Sequence, residues 1–210
     1  MTSSCAQLHK WIATFPVHGF PFNAQAIPMN GIYVLFEQGE LAHGWNRIVR
    51  VGTHTGNNQL PSRLWQHFEN ENKDRSIFRK NIGRCFLNQA HDPYLEKWEW
   101  DLTTKKAKEK YTELIDAKKQ DQLEKRISAY FQTNFRFVVF EVNDASKRLE
   151  LESKLLSTIV QCEECHPSQQ WLGNSSPIAK IKENGIWNVQ GCNGQPLNEN
   201  DWIFLNTIKE

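Results

Sequence analysis

The sequence has no long hydrophobic run. None of its apolar stretches approaches the roughly 20 residues that a membrane-spanning helix needs, and its first residues lack the apolar segment of a secretory signal peptide. Cysteine is scarce: five residues in 210, an odd number, exclude a disulfide-rich scaffold. These absences favour a cytoplasmic protein with reduced thiols and no membrane association.

The chain also has no excess of charge, because 25 Lys and Arg residues oppose 24 Asp and Glu residues. A net charge of +1 argues against a globally basic nucleic-acid binder but says nothing about local basic patches. Hydrophobic residues make up 39% of the chain and charged residues 23%, which is typical of a folded domain rather than a disordered one. Eight Trp and twelve Phe predict a core, or a binding surface, rich in aromatic rings.

Three segments have the β-branched and aromatic composition of short buried strands, namely 31–36, 47–51 and 135–142. The first two are separated by a glycine-containing turn and should pair as a hairpin. Amphipathic patterns predict helices near 61–68, 78–86, 103–131 and 145–161.

This order of elements predicts an α/β fold with a small mixed or antiparallel three-stranded sheet flanked by helices. We divide the chain into an N-terminal extension (1–28), a core (29–177) and a C-terminal extension (178–210) that packs on the core. A helical insertion interrupts the core at about 70–133.

One carboxylate falls on the apolar stripe of the helix predicted at 145–161. Glu152 shares helical spacing with Leu149, Leu156 and Ile159. A carboxylate on an apolar face is costly unless it is paired or bound to a cation. A structural ion pair with a neighbouring arginine and a metal site both explain this position, and the helix alone does not decide between them.

Arg63 and His67 are four residues apart, so they share one face of a predicted helix. A guanidinium suits a phosphate, and an imidazole can donate a hydrogen bond or carry a proton. Further basic residues surround this pair, and we expect DNA phosphates to be contacted by Arg50, Arg75, Arg79 and Lys80. An ordinary solvated helix face explains the same charges equally well.

Together these residues form a series that resembles the GIY-YIG nuclease family. The first motif stands unaltered as Gly31-Ile32-Tyr33. The second stands as Arg50-Val51-Gly52, where arginine replaces the tyrosine with which the family's motif usually begins. The pair Arg63-x-x-x-His67 and the segment Glu152-x-x-Leu-Leu follow in the family's order. The tail that begins at Trp171-Leu172-Gly173 also looks like the tails of small stand-alone bacterial members.

The resemblance implies a DNA endonuclease that hydrolyses phosphodiester bonds with Mg²⁺ or Mn²⁺. It implies that Glu152 holds the metal, that Tyr33 is the general base and that Arg63 stabilises charge on the phosphate. His67 would orient Tyr33 or accept its proton, and Arg50 would grip phosphate or favour the phenolate of Tyr33.

The family's polar residue after the helix that carries the metal-binding glutamate corresponds here to Asn174, which the resemblance implies contacts the nucleic acid, with Ser176 as the competing candidate. A stand-alone restriction or defence nuclease suits the length best, and a monomer and a homodimer both remain open. Three alternatives stay open as well: a degenerate, inactive member of the family, a non-catalytic nucleic-acid-binding module with the same fold, and an interaction domain that uses a Trp-rich surface.

A second motif, Cys162-Glu163-Glu164-Cys165-His166, matches both a c-type haem attachment string and half of a zinc site. Haem attachment requires export, for which we expect no signal. A zinc site would need further ligands such as Cys192 or His166, and a second close pair of cysteines is missing. The sequence therefore favours a helix end with free thiols.

Overall fold

The computed structural model describes residues 3–208. Within them the chain forms a mixed α/β fold with one four-stranded antiparallel sheet. The strands are β1 (His18–Gly19), β2 (Gly31–Ala42), β3 (Trp45–Gly52) and β4 (Phe135–Glu141). The α-helices are α1 (Ser4–Ile12), α2 (Leu60–Phe68), α3 (Ile77–Gln89), α4 (Tyr94–Trp98), α5 (Lys105–Tyr111), α6 (Ala117–Asn134), α7 (Ala145–Val160), α8 (Ala179–Asn184) and α9 (Glu199–Thr207). In residues 3–208 no helix has the length and apolar content needed to cross a membrane.

The sheet has the strand order β1-β4-β2-β3, which is one strand more than the sequence predicts. The additional strand, β1, is only two residues long and pairs with Phe137 and Arg136 of β4. A two-residue strand is too short to show the alternation that reveals strands in a sequence. All pairings are antiparallel, so the mixed sheet is excluded and the predicted hairpin of β2 and β3 is confirmed.

Each face of the sheet is covered by its own core, because side chains alternate between faces along a strand. On one face, Tyr33 and Leu35 pack with the aromatic residues of α2, α3 and α6. On the other face, Ile32 and Val34 pack with α1 and α7. The hairpin therefore sends Tyr33 to the aromatic face.

The edge strand β3 is covered by a segment that follows α8. The Trp187 N–H donates to the Val49 carbonyl at 2.8 Å. The Asn188 side chain accepts from the Val51 N–H at 3.2 Å and donates to the Val51 carbonyl at 2.8 Å. These bonds satisfy backbone groups that an edge strand would otherwise expose, and they attach the C-terminal part of the chain beside the end of β3.

Helix α7 begins at Ala145, as predicted, but its buried stripe differs from the predicted one. Leu151, Leu155, Leu156 and Ile159 are buried, whereas Leu149 is 46% exposed. Glu152 therefore lies at the edge of the apolar stripe and not within it. This position places the carboxylate at the border between the core and an open cleft.

Candidate active site

Two adjoining cavities form a cleft beside the end of β3. The larger, of about 680 Å³, is lined by Arg50, Trp187 and Asn188 among others. The smaller, of about 420 Å³, is lined by residues 53–55 and by α2, including Arg63. Leu149 and Glu152 of α7 line both cavities, so the Glu152 carboxylate lies between them.

Beneath the cleft, a short chain of hydrogen bonds joins β2 to α2 and α3. The Tyr33 hydroxyl lies 2.9 Å from His67 Nε2, and His67 Nδ1 lies 2.8 Å from Ser76 Oγ. Ser76 in turn caps α3 by accepting from the Arg79 N–H at 3.2 Å. The cap fixes Ser76, Ser76 fixes the imidazole ring, and the ring fixes the hydroxyl of Tyr33.

His67 is completely buried and uncharged at neutral pH. Burial is the largest cause that holds the pKa of His67 well below its usual range, and the nearby guanidinium groups of Arg63, Arg50 and Arg79 lower it further. A neutral imidazole keeps one nitrogen free to accept a proton. His67 can therefore exchange a proton with the Tyr33 hydroxyl.

Arg50 lies between the Tyr33 hydroxyl and the larger cavity. Its Nε is 3.5 Å from the hydroxyl oxygen, and its guanidinium donates to the Trp187 carbonyl at 3.3 Å. The same group lies over the ring of Phe78, 4.6 Å from the centroid. Tyr33 itself is 0% exposed. The tyrosine thus faces the cleft side of the sheet, as the alternation predicts, but Arg50 covers it.

Gly52 allows this close packing at the end of β3. A Cβ atom at this position would collide with the ring and the hydroxyl oxygen of Tyr33. The residue after Val51 must therefore lack a side chain if the tyrosine is to lie against the backbone. This contact explains why a glycine ends the second motif.

Glu152 presents a half-buried carboxylate to both cavities. Burial is the largest cause and raises its pKa above the usual range, while the charges of Arg50 and Arg63 and the backbone N–H of Thr53 oppose the rise. Among the described residues that line the two cavities, Glu152 is the sole acidic one.

The two arginines nearest to Glu152 have no acidic partner of their own among the described residues. Arg50 and Arg63 form no ion pair within residues 3–208, whereas three other arginines each pair with a glutamate: Arg47, Arg79 and Arg84. Arg63 instead donates to Gln66 at 3.0 Å and to the Arg75 carbonyl at 3.3 Å. The cleft therefore holds two guanidinium groups whose charge no carboxylate neutralises at contact distance, which suits an anionic ligand.

The donor set at Glu152 fits a hard divalent cation. Mg²⁺ commonly binds through one or two carboxylates and keeps several water molecules. A single carboxylate that is costly to ionise by itself, and that opens onto a cleft, meets this requirement. Glu152 is thus the residue that would hold Mg²⁺ or Mn²⁺.

A sequence profile described as the GIY-YIG domain matches residues 22–210. The chain belongs to the GIY-YIG family. No curated protein and no solved structure matched the chain. The match runs through the helical insertion and the C-terminal segment, beyond the stretch that carries the motifs, and it makes this GIY-YIG protein a member of a family of nucleases.

Two of the arginines and lysines predicted to contact DNA are engaged elsewhere in this GIY-YIG protein. Arg79 is 0% exposed and forms an ion pair with Glu124, in which Arg79 Nη2 lies 2.8 Å from Glu124 Oε2. Lys80 is half-buried and donates to the Glu99 carbonyl at 2.6 Å. Arg79 is therefore unavailable to a nucleic acid, a correction of the sequence-based expectation, while Arg75 is exposed and Arg50 lines the cleft.

Asn174 also lies apart from the cleft. Its amide donates to the carbonyls of Ser168 and Gln169 at 2.9 and 3.1 Å, and it lines neither cavity. The competing candidate Ser176 is buried and accepts from the Ile178 N–H at 3.1 Å. Asn174 is exposed but lies outside both cavities, and its contact with a nucleic acid stays a prediction.

Three polar residues of the site escape prediction from sequence. Ser76 contacts His67 only because the start of α3 lies against α2. Asn188 joins the site only because its side chain pairs with Val51 of β3. Asn81 is 1% exposed and lines the larger cavity, and its Nδ2 has no acceptor in residues 3–208. None of the three belongs to a motif, and only the long-range contacts reveal them.

The depressed pKa of His67 predicts acid sensitivity of the fold. Because its pKa is lower in the folded than in the unfolded state, the unfolded state binds more protons below about pH 6.5, the usual value. The free energy of unfolding should fall as the pH drops through this range, by at most about 1.4 kcal/mol per pH unit from this group.

Urea unfolding of the wild type and of His67→Gln between neutral pH and pH 5 measures this contribution. The slope of unfolding free energy against pH should be shallower in His67→Gln, while the exposed control His91→Gln keeps the wild-type slope. Parallel curves for wild type and His67→Gln would show that His67 is not held neutral by the fold.

Proposed function

We propose that this protein is a metal-dependent endonuclease that hydrolyses phosphodiester bonds of DNA. The observation that carries the proposal is the cleft in which one half-buried carboxylate, Glu152, stands near two guanidinium groups without acidic partners, Arg50 and Arg63. Opposite charges of this kind suit a phosphodiester held beside a divalent cation.

In the proposed reaction, the protein's own groups bind the phosphate and move the proton. Arg63 and Arg50 hold the non-bridging oxygens and stabilise the negative charge that develops there. Tyr33 removes a proton from the attacking water, and His67 Nε2 accepts the tyrosine proton across the 2.9 Å hydrogen bond. Mg²⁺ or Mn²⁺ on Glu152, when bound, supplies Lewis acidity that polarises the phosphate.

Access to Tyr33 depends on Arg50. The hydroxyl is covered in the free protein, where the Arg50 guanidinium rests on Phe78 and on the Trp187 carbonyl. A phosphate offers that guanidinium charged acceptors in place of a neutral carbonyl, and charge-assisted hydrogen bonds are about twice as strong as neutral ones. Phosphate binding therefore draws Arg50 toward the cavity and uncovers the hydroxyl.

The experiment that tests this function offers the purified protein plasmid DNA, genomic DNA and folded RNA, each with Mg²⁺, with Mn²⁺ or with a chelator. Genomic DNA is included because it contains any short recognition site. Cleavage of DNA with either metal and none with the chelator is the expected result. Cleavage confined to RNA would overturn the assignment of DNA as the substrate.

A non-catalytic DNA-binding module is the second candidate. Such a module explains Arg50 and Arg63 equally well, but it does not explain Glu152, because a carboxylate without a bound cation repels phosphate. Gel-shift measurements on the same DNA separate the two candidates: binding without cleavage in either metal would favour the module. The biological role that we propose for this nuclease is restriction or defence.

Replacing Arg50 with Ala should weaken DNA binding through the loss of one phosphate contact. The plot of log affinity against log salt concentration should become shallower by about one unit, because one fewer counterion is released. Arg126→Ala is a matched control, because Arg126 of α6 is exposed, its guanidinium lies over the ring of Phe86 of α3, and it lines neither cavity. An unchanged slope in Arg50→Ala would remove Arg50 from the path of the DNA backbone.

A further inference from the structure

Side chains from three distant parts of the sequence meet on the face of the sheet that α1 and α7 cover, outside the two cavities of the cleft. Cys5 and His9 belong to α1, His43 lies in the turn between β2 and β3, and Cys162 and Cys165 follow the end of α7. We call these five residues the thiol cluster. The nuclease chemistry proposed above uses none of them.

Several ligand atoms of the thiol cluster lie close together. Those of Cys5, His9 and His43 lie within 4.8 Å of one another. Cys5 Sγ lies 3.6 Å from His9 Nδ1, and Cys165 Sγ lies 4.0 Å from His9 Nε2, so both thiols converge on the same imidazole ring. Cys5 and Cys165 are almost fully buried, at 1% and 6% exposed, so water has little access to the cluster.

His43 has the environment of a metal-ligating histidine. Its Nε2 lies 3.5 Å from Cys162 Sγ, close to the separation of about 3.6 Å between a nitrogen and a sulfur ligand of tetrahedral zinc. Its Nδ1 lies 3.4 Å from the Glu164 carboxylate. Ligating histidines commonly hold a carboxylate on the nitrogen that does not bind metal, and the His43 side chain is only 6% exposed.

The backbone at His43 supports the same interpretation. Its φ of 54° lies in the left-handed region, which residues other than glycine seldom adopt. Such conformations persist where surrounding contacts over-determine them, and they are concentrated at functional sites. The turn thus holds the imidazole ring toward the thiols of α1 and of the segment after α7.

His9 is engaged by the backbone on both of its nitrogens. Its Nδ1 lies 2.9 Å from the Cys5 carbonyl oxygen, and its Nε2 accepts from the Ile48 N–H at 3.2 Å. With no nitrogen left for an ion, His9 is a supporting residue that orients α1 against β3.

We propose that Cys5, His43, Cys162 and Cys165 bind one zinc ion in a closed tetrahedral site. Three cysteines and one histidine are a common ligand set for structural zinc. The ion would join α1, the β2–β3 turn and the segment after α7, which are far apart in sequence. The Cys-x-x-Cys half of the site is visible in the sequence, but its partners are Cys5 and His43 and not Cys192 or His166.

Neither of the two partners first considered belongs to the cluster. Cys192 Sγ lies 3.7 Å from the Asn188 carbonyl oxygen, and His166 is exposed. The site therefore differs in composition from the one that sequence spacing alone would assemble.

The test measures zinc in the full-length protein, prepared without an affinity tag from zinc-supplemented cultures and analysed by mass spectrometry of the metal content. The expected result is about one zinc ion per chain. Cys5→Ser and His43→Asn should weaken zinc binding at least about tenfold. Asparagine is chosen because it tolerates the left-handed backbone at this turn.

The chain offers matched controls for both variants. Cys192→Ser alters a buried cysteine outside the cluster, and His91→Asn alters another histidine with a positive φ, of 50°. Both should retain about one zinc ion per chain, and His9→Gln should retain it as well. Loss of zinc in a control to the same extent would indicate unfolding and not loss of a ligand.

A measurement on the wild type keeps the proposal testable if the ligand variants fail to fold. Replacement of zinc by Co²⁺ should give a thiolate-to-cobalt charge-transfer band and the intense visible bands of tetrahedral cobalt. The proposal would be overturned if the purified wild type contained no zinc and showed neither band with Co²⁺. A disulfide between Cys5 and Cys165 in protein purified under reducing conditions would overturn it as well.

Discussion

Glu152→Gln should lower the rate of DNA cleavage by at least about a thousandfold, while DNA binding and thermal stability persist. A metal that polarises the phosphate contributes several kcal/mol to transition-state stabilisation, and each 1.4 kcal/mol is about tenfold in rate. Glutamine matches glutamate in size but lacks the negative charge that holds Mg²⁺. The variant therefore removes the cation's ligand and leaves the cleft filled.

Stability should persist in this variant for an electrostatic reason. Burial raises the pKa of Glu152 in spite of the neighbouring arginines, so the fold disfavours the charged form of this residue. A neutral amide removes that penalty. The melting temperature of Glu152→Gln should therefore equal or exceed that of the wild type.

Glu150→Gln is the matched control for Glu152→Gln. Glu150 lies on the same helix but pairs with Lys147 and Lys154 at the surface, 3.1 and 2.7 Å away. The Glu150→Gln variant should cleave DNA at the wild-type rate. Full activity in Glu152→Gln would eliminate the metal role, and a large drop in its melting temperature would instead identify Glu152 as a structural residue.

Tyr33→Phe should lower cleavage by about a hundredfold, the scale of a general-base contribution, with DNA affinity nearly unchanged. The change keeps the ring against Gly52 and removes only the hydroxyl that lies 2.9 Å from His67 Nε2. Since Arg50 replaces the tyrosine of the second motif, no phenol in the two motifs can take over proton removal.

The same substitution leaves a buried nitrogen of His67 without its partner. We expect this to cost about 1–3 kcal/mol of unfolding free energy, so rates are compared at a temperature where both proteins are folded. Tyr94→Phe is the control, because its hydroxyl is 3.3 Å from the Asp116 carbonyl, away from the cleft. Wild-type cleavage by Tyr33→Phe would show that another group activates the water.

The local part of the site is readable from the sequence. The alternation along β2 places Tyr33 opposite Ile32 and Val34, and helical spacing places Arg63 and His67 on one face of α2. Both follow from periods that a few residues fix. The family of the chain could be inferred for the same reason, since its motifs lie within these local elements.

Long-range pairing could not be predicted, and several of the discrepancies trace to it. Arg79 has the sequence context of a surface arginine, and only the packing of α6 on α3 brings Glu124 to it. Asn188 and Cys5 likewise acquire their surroundings from segments more than 100 residues away. Burial of Tyr33 beneath Arg50 depends on one side-chain conformation, which no periodicity encodes.

The most direct test of the proposed function is single-turnover cleavage of end-labelled duplex DNA by the wild type, with protein in excess, as Mg²⁺ is added to metal-free buffer. We predict no cleavage before Mg²⁺ is added, a rate that rises and saturates with its concentration, and complete suppression by a chelator. Bound DNA that stays intact at every Mg²⁺ and Mn²⁺ concentration, or cleavage that is indifferent to the chelator, would contradict a metal-dependent nuclease centred on Glu152.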